Sequence, residues 1–170
     1  MNKVKIFLTL TGYQITWLAC VFGEKNFNQP LLGLSFGLFF IIIYFYYSIN
    51  KKQLLKTILL ISLPGYFFDT FMIYLSIYKF NAILNIGFLP IWMLVLWPSF
   101  AILFDEILVF FKNYKLIGIL LSGLLGPITY YLGAPLGLIL INDLLLFFFL
   151  MISFWSLLMF FYLNLILRNY

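Results

Sequence analysis

The chain has no histidine, one cysteine and only 5 acidic residues, and each shortage removes a class of chemistry. Without histidine there is no imidazole base and no usual Cys/His centre, so no metal site is expected. A single thiol, Cys20, allows no intramolecular disulfide and reads as a small apolar packing residue. Charged residues make up 9% of the chain, against roughly 25% in soluble domains, so no water-soluble domain is expected. The 10 basic residues stand singly or in pairs rather than in a stripe, which argues against nucleic acid as a partner. Asp-rich motifs that would hold Mg²⁺ against a diphosphate are also missing, so the sequence leans away from an enzyme and calls for no cofactor.

What is there is apolar. Hydrophobic residues are 65% of the 170-residue chain and its mean hydropathy is +1.12. A hydrocarbon core of about 30 Å takes about 20 helical residues to cross. The continuous apolar runs are twice the roughly 10-residue alternating segments of a β-barrel. The expectation is therefore all-α: one integral membrane domain over residues 1–170, with six transmembrane helices at about 4–22, 31–49, 54–78, 88–110, 116–133 and 143–167. The basic start and the run ending Leu18-Ala19-Cys20 are read as a span rather than a cleaved signal, because Gln14 and the aromatic residues make a poor signal core. With a cytoplasmic N-terminus, the inner segments hold Lys3, Lys5, Lys51, Lys52, Lys56, Lys112, Lys115 and Arg168, and the outer ones only Lys25 and Lys79. That bias of eight to two points to cytoplasmic termini and a multi-pass protein of the bacterial inner membrane, with the bilayer as its first partner.

Prolines and glycines punctuate these runs. Pro64 in the third span, Pro98 in the fourth and Gly126-Pro127 in the fifth each remove a helical hydrogen bond, and three consecutive kinks favour a cavity. Gly33 and Gly37, and the stripe Gly118, Ser122 and Gly126, suit close helix packing. Asp143 is well placed as a helix N-cap. Asp105-Glu106 reads as an interfacial pair facing Lys112 or Lys115, and Glu24 as a loop charge beside Lys25.

The candidate site is Asp69. A charge at membrane depth costs about 2.5 to 17 kcal/mol depending on the reference state, so Asp69 should face protein or water rather than lipid. Helical rise puts Asp69 roughly 22 Å above the cytoplasmic end of its span and Trp17, Thr129 and Tyr130 near roughly 20 Å. Trp92 enters the same layer from above, while Trp97 and Gln14 fall nearer mid-membrane. The candidate ligand-binding set is thus Asp69, Tyr66, Gln14, Trp17, Trp92, Trp97, Thr129 and Tyr130, with Tyr66 one turn before Asp69 as a hydrogen-bond partner. The competing view is that Asp69 bonds Gln14, a tyrosine or a freed backbone carbonyl and only holds the bundle together.

Several segments together resemble a known family. Tyr13-Gln14 with Trp17, Gly65 with Asp69, Pro90-Ile91-Trp92 through Leu96-Trp97 to Phe100-Ala101, and Gly126-Pro127 with Tyr130-Tyr131 and Gly133 through Leu136-Gly137 look like a bacterial polytopic membrane-protein family, the domain of unknown function 2878. The resemblance covers nearly the whole chain. It implies a small inner-membrane protein, brings no activity, and leans toward lipids. At Asp105-Glu106 the chain departs from the family pattern, which carries an uncharged polar or histidine-containing pair. Three functions follow, in this order: binding or transport of a small or lipid-like molecule beside Asp69; a scaffold presenting the Gly33/Gly37 or Gly118 stripe to a membrane-protein partner; and an intramembrane lipid or isoprenoid enzyme with Asp69 as general acid.

Overall fold

The computed structural model describes residues 3–166. Six α-helices carry the chain: α1 (Lys3–Lys25), α2 (Leu31–Tyr47), α3 (Lys51–Tyr74), α4 (Met93–Glu106), α5 (Lys115–Tyr131) and α6 (Leu144–Phe161). A 3₁₀ turn (Leu108–Asn113) precedes α5, and a π turn (Tyr162–Ile166) extends α6. Lys5–Lys25, Lys51–Tyr74 and Leu144–Asn164 are each long and apolar enough to cross a membrane, whereas α2, α4 and α5 are shorter apolar helices. Large apolar side chains stand outward on these helices, with Phe39 66%, Phe67 75% and Leu145 84% exposed. Soluble monomers do not carry so continuous an apolar exterior. The expected end of the last span at Leu167, and Arg168 beyond it, lie outside the described residues.

Pro64, Pro98 and Pro127 each lie inside a helix that runs on past them, so α3, α4 and α5 are continuous through the positions where interruption was expected. Two departures from the expected spans are larger. The third helix stops at Tyr74 rather than Tyr78, and the fourth starts at Met93 rather than Phe88. Between them the chain makes short strands: β1 (Tyr78–Phe80), and a hairpin of β2 (Asn85–Ile86) and β3 (Leu89–Pro90) that turns at Gly87, whose φ is +61°. A fourth strand, β4 (Ile139–Ile141), follows α5 and pairs antiparallel with β1.

The chain folds as two compact units, Met1–Asp69 with Ala82–Ile107, and Thr70–Asn81 with Leu108–Tyr170. In the first, α1, α2 and α4 pack on one another. Small residues set the spacing: a Cβ on Gly33 would lie 2.7 Å from Cys20 Cα, and one on Gly37 2.5 Å from Val95 Cβ. The Gly33/Gly37 pair is therefore used against α1 and α4 within the bundle. Thr9 and Thr16, both fully buried, satisfy their hydroxyls by donating to Lys5 O and Gly12 O, each at 2.9 Å. At the end of α1 near the N-terminus, Lys5 pairs with Glu106 of α4 and lies over the Tyr44 ring at 5.4 Å. Lys5 thus takes the role expected of Lys112 or Lys115, because antiparallel packing brings the start of α1 to the end of α4. The side chain of Asp105 is outside the described set.

In the second unit α5 packs on α6 through the predicted small-residue stripe and Gly123. A Cβ on Gly126 would sit 2.3 Å from the Trp155 ring, and Ser122 Oγ donates to Trp155 O at 2.7 Å. Asp143 caps α6 as expected, its carboxylate accepting from Leu146 N at 2.9 Å. Tyr78 and Phe147, both fully buried, stack edge to face at 6.0 Å and form the aromatic core of this unit.

Candidate functional site

Along α3 the buried positions run Leu54, Thr57, Ile61, Ser62, Gly65, Asp69 and Met72. Those are the three- and four-residue steps of one helix face. Its polar members are Thr57, Ser62 and Asp69, and the half-buried Tyr66 falls between the last two, at i+4 from Ser62 with Asp69 at i+7. Asp69 is completely buried, and its Oδ2 accepts a hydrogen bond of 2.8 Å from the indole Nε1 of Trp97 on α4. Trp97 is itself 3% exposed. Gly65, one turn before Asp69, gives the ring its place: a Cβ there would meet Trp97 Cδ2 and Cε2 at 2.4 Å. Glycine at 65 and indole at 97 are thus parts of one contact, across a sequence separation that neither residue reveals alone.

The proline of α4 supplies the second tie. Pro98 has no N–H, so the carbonyl four residues earlier, Leu94 O, loses its helical donor. Tyr66 Oη donates to that carbonyl at 2.9 Å. Tyr66 is therefore engaged with the backbone of α4, where the sequence had placed it as a partner of Asp69. The two bonds run in parallel between α3 and α4, one from each helix to the other. Residue counting put Trp97 deeper than Asp69, yet the indole bond brings both side chains to one level.

The remaining candidates divide. Trp92 is buried at the start of α4, 5% exposed; Trp17 is half-buried on α1, and Gln14 is exposed. Thr129 and Tyr130 belong to the second unit. There Thr129 Oγ1 donates to Gly126 O at 2.6 Å, and the Tyr130 ring packs on Tyr78 at 6.1 Å and Trp155 at 6.4 Å.

Three buried hydroxyls escaped the sequence reading: Thr57 Oγ1 and Ser62 Oγ on α3, and Ser99 Oγ on α4, have no hydrogen-bond partner among the described residues. The spacing of Ser62 from Tyr66 and Asp69 was its available signal. Glu24, read as a loop charge, is instead 2% exposed near the end of α1, where its Oε1 accepts from Ile83 N. A further pattern is defused: Gly33-Leu34-Ser35-Phe36-Gly37 has the spacing of a nucleophile elbow, but it lies within α2, where Ser35 Oγ donates to Leu31 O at 2.9 Å. An elbow needs a strand-to-helix turn that exposes the serine at a sharp bend.

What α3 and α4 offer chemically is one buried carboxylate, an indole donor, a phenol and hydroxyls in an apolar surround. The basic residues of α3, Lys51, Lys52 and Lys56, all stand in its first two turns, and α4 carries none. The class so defined is an α-helical protein whose long apolar helices suit it to a membrane, with a sheltered acid on its third helix. The chain belongs to the family described as "Protein of unknown function (DUF2878)", whose model matches residues 6–161. No curated protein and no solved structure shows significant similarity to it.

Proposed function

We propose that this is a multi-pass protein of the bacterial inner membrane, six helices crossing with both termini cytoplasmic, that binds or transports a small or lipid-like molecule beside Asp69. The observation that carries the reading is a carboxylate completely buried on an apolar helix and held by a neutral indole. Ionisable groups at such depth mark functional sites by default, because burying them is costly and apolar residues pack as well without them. The chemistry of the lining narrows the ligand. The one fully buried acid, with the basic residues Lys51, Lys52 and Lys56 confined to the start of α3 and none on α4, disfavours a phosphate or carboxylate and suits a group that donates, such as a hydroxyl or an ammonium, on an apolar body. The scaffold reading loses its argument, since both glycine stripes are used for packing within the two units.

Organic extraction and mass spectrometry of purified wild-type protein and Asp69→Asn tests this. Asparagine keeps the shape and can still accept from Trp97, so the fold is retained while the acid is lost. The expected result is a molecule enriched with the wild type and depleted by at least tenfold with the variant. Identical profiles from equally stable samples would show that Asp69 only joins α3 to α4.

A further inference from the structure

Helix α1 serves as a ruler for its unit. Its Lys5 is bonded to Glu106 at the end of α4, and its Glu24 to Ile83 at the base of the β2–β3 hairpin. The 19-residue step from Lys5 to Glu24 rises about 28 Å, close to the thickness of a hydrocarbon core. The antiparallel α4 has 14 residues and rises only about 20 Å from Glu106 to Met93. A layer of about 9 Å at the Glu24 end is therefore left to the non-helical chain leading into α4. Non-helical backbone at membrane depth is tolerated only where its polar groups are satisfied by protein.

The hairpin meets that condition. Ile83 N–H goes to the Glu24 carboxylate, and Ile91 N–H to Leu84 O at 3.0 Å. The ladder pairs Asn85 with Pro90 and Ile86 with Leu89, and Pro90 brings no N–H to satisfy. Leu89, Pro90 and Trp92 turn inward and are buried. The outward side is apolar apart from Asn85: Ile83 is 56% exposed, Leu84 41%, Ile86 53% and Phe88 57%, with Phe27 of the neighbouring α1–α2 loop at 63%. No charged residue occurs from Phe80 to Phe104. In water, about half the surface of these four large side chains would be left without apolar burial.

We propose that the 82–92 hairpin is a membrane-seated element: it lies at the boundary between lipid headgroups and acyl chains, completes the crossing that α4 begins, and is anchored by the buried carboxylate of Glu24. Its partner is the lipid itself, contacted by Ile83, Leu84, Ile86 and Phe88. Glu24 acts as a positioning residue, an acceptor supplied by one helix for a backbone donor that no helix of its own can satisfy. Outward side chains of α1 and α3 are of the same kind, with Phe22 46% and Phe67 75% exposed.

Site-directed spin labelling tests this, and the single native cysteine makes it direct. In a Cys20→Ala background, Phe88→Cys and, independently, Ile86→Cys carry the nitroxide at the hairpin. Phe39→Cys reports the exposed face of α2, and Asn50→Cys the polar turn before α3. The variants are reconstituted in vesicles of phosphatidylethanolamine and phosphatidylglycerol, and collision with oxygen is compared with collision with a water-soluble nickel chelate. The hairpin labels should favour oxygen, as Phe39→Cys does; a preference for nickel equal to that of Asn50→Cys would overturn the proposal. Adding Glu24→Ala should raise nickel access at the hairpin several-fold, while Glu24→Gln, which keeps an acceptor oxygen, should not. Unchanged access with Glu24→Ala would refute the anchor, and spin–spin broadening between copies labelled at 88 would assign the face to a second chain instead.

Discussion

Gly65→Ala isolates the contact on which the candidate site depends. The added Cβ would lie 2.4 Å from Trp97 Cδ2 and Cε2 and 2.6 Å from Cε3, where ordinary contact begins at 3.4 Å. About 1 Å of relief is required, and the ring is 3% exposed and cannot swing clear. Two responses are available. Separating α3 from α4 carries the cost of an overpacked core, about 1–3 kcal/mol. Rotating the indole breaks its bond to the buried Asp69 carboxyl, about 1–3 kcal/mol. Either route costs about 1–3 kcal/mol, which at about 2–4 °C per kcal/mol for a chain of this size lowers Tm by roughly 2–12 °C. Cys20 provides the readout, since it is 2% exposed and reacts with a fluorogenic maleimide only as the first unit opens. In a Trp97→Leu background the same glycine substitution should cost less than about 1 kcal/mol, because the obstructing ring is gone. An unshifted melt for Gly65→Ala, or an equal penalty with and without the indole, would refute the argument.

Three further outcomes follow from named bonds. Tyr66→Phe removes the donor to the carbonyl that Pro98 frees and should destabilise the first unit by about 1 kcal/mol, read by the same Cys20 labelling. Asp143→Ala removes the cap of α6 at a cost of about 1 kcal/mol, whereas Asp143→Asn should be nearly neutral; faster amide exchange confined to the first turn of α6 is the check. Reversing either charge of the Lys5–Glu106 pair should lower the melting temperature by a few degrees, and reversing both should recover it. Failure of the double reversal to recover would show that the pair is not coupled.

The helical plan was legible because twenty-residue apolar runs in a chain with so few charges admit little else, and α1, α2, α5 and α6 start close to where composition places them. Asp69 was legible for the same reason, as a charge standing where hydrocarbon should be. Its partner was not. Counting residues along two antiparallel helices accumulates an error of a turn, and the length of an indole bridges the difference between Trp97 and Asp69. The bond from Tyr66 was within reach, since any helical proline frees a carbonyl four residues back and a phenol on a neighbouring helix is a natural donor. The hairpin was hidden because a short apolar run reads equally as strand or helix, and only Gly87 and Pro90 hinted at a turn. Glu24 was taken as solvated from its neighbour Lys25, although the backbone donor that it serves lies 59 residues away.

The central claim is that the sheltered Asp69 carboxyl is where a ligand binds, and an apolar carbodiimide reads it most directly. Protein depleted of co-purified lipid is treated with dicyclohexylcarbodiimide, with and without the total lipid extract of its own membrane, and adducts at Asp69 and the exposed Asp143 are quantified by mass spectrometry. The account predicts an adduct at Asp69 that the extract suppresses several-fold while labelling at Asp143 stays constant. Equal modification of Asp69 in both conditions would contradict it.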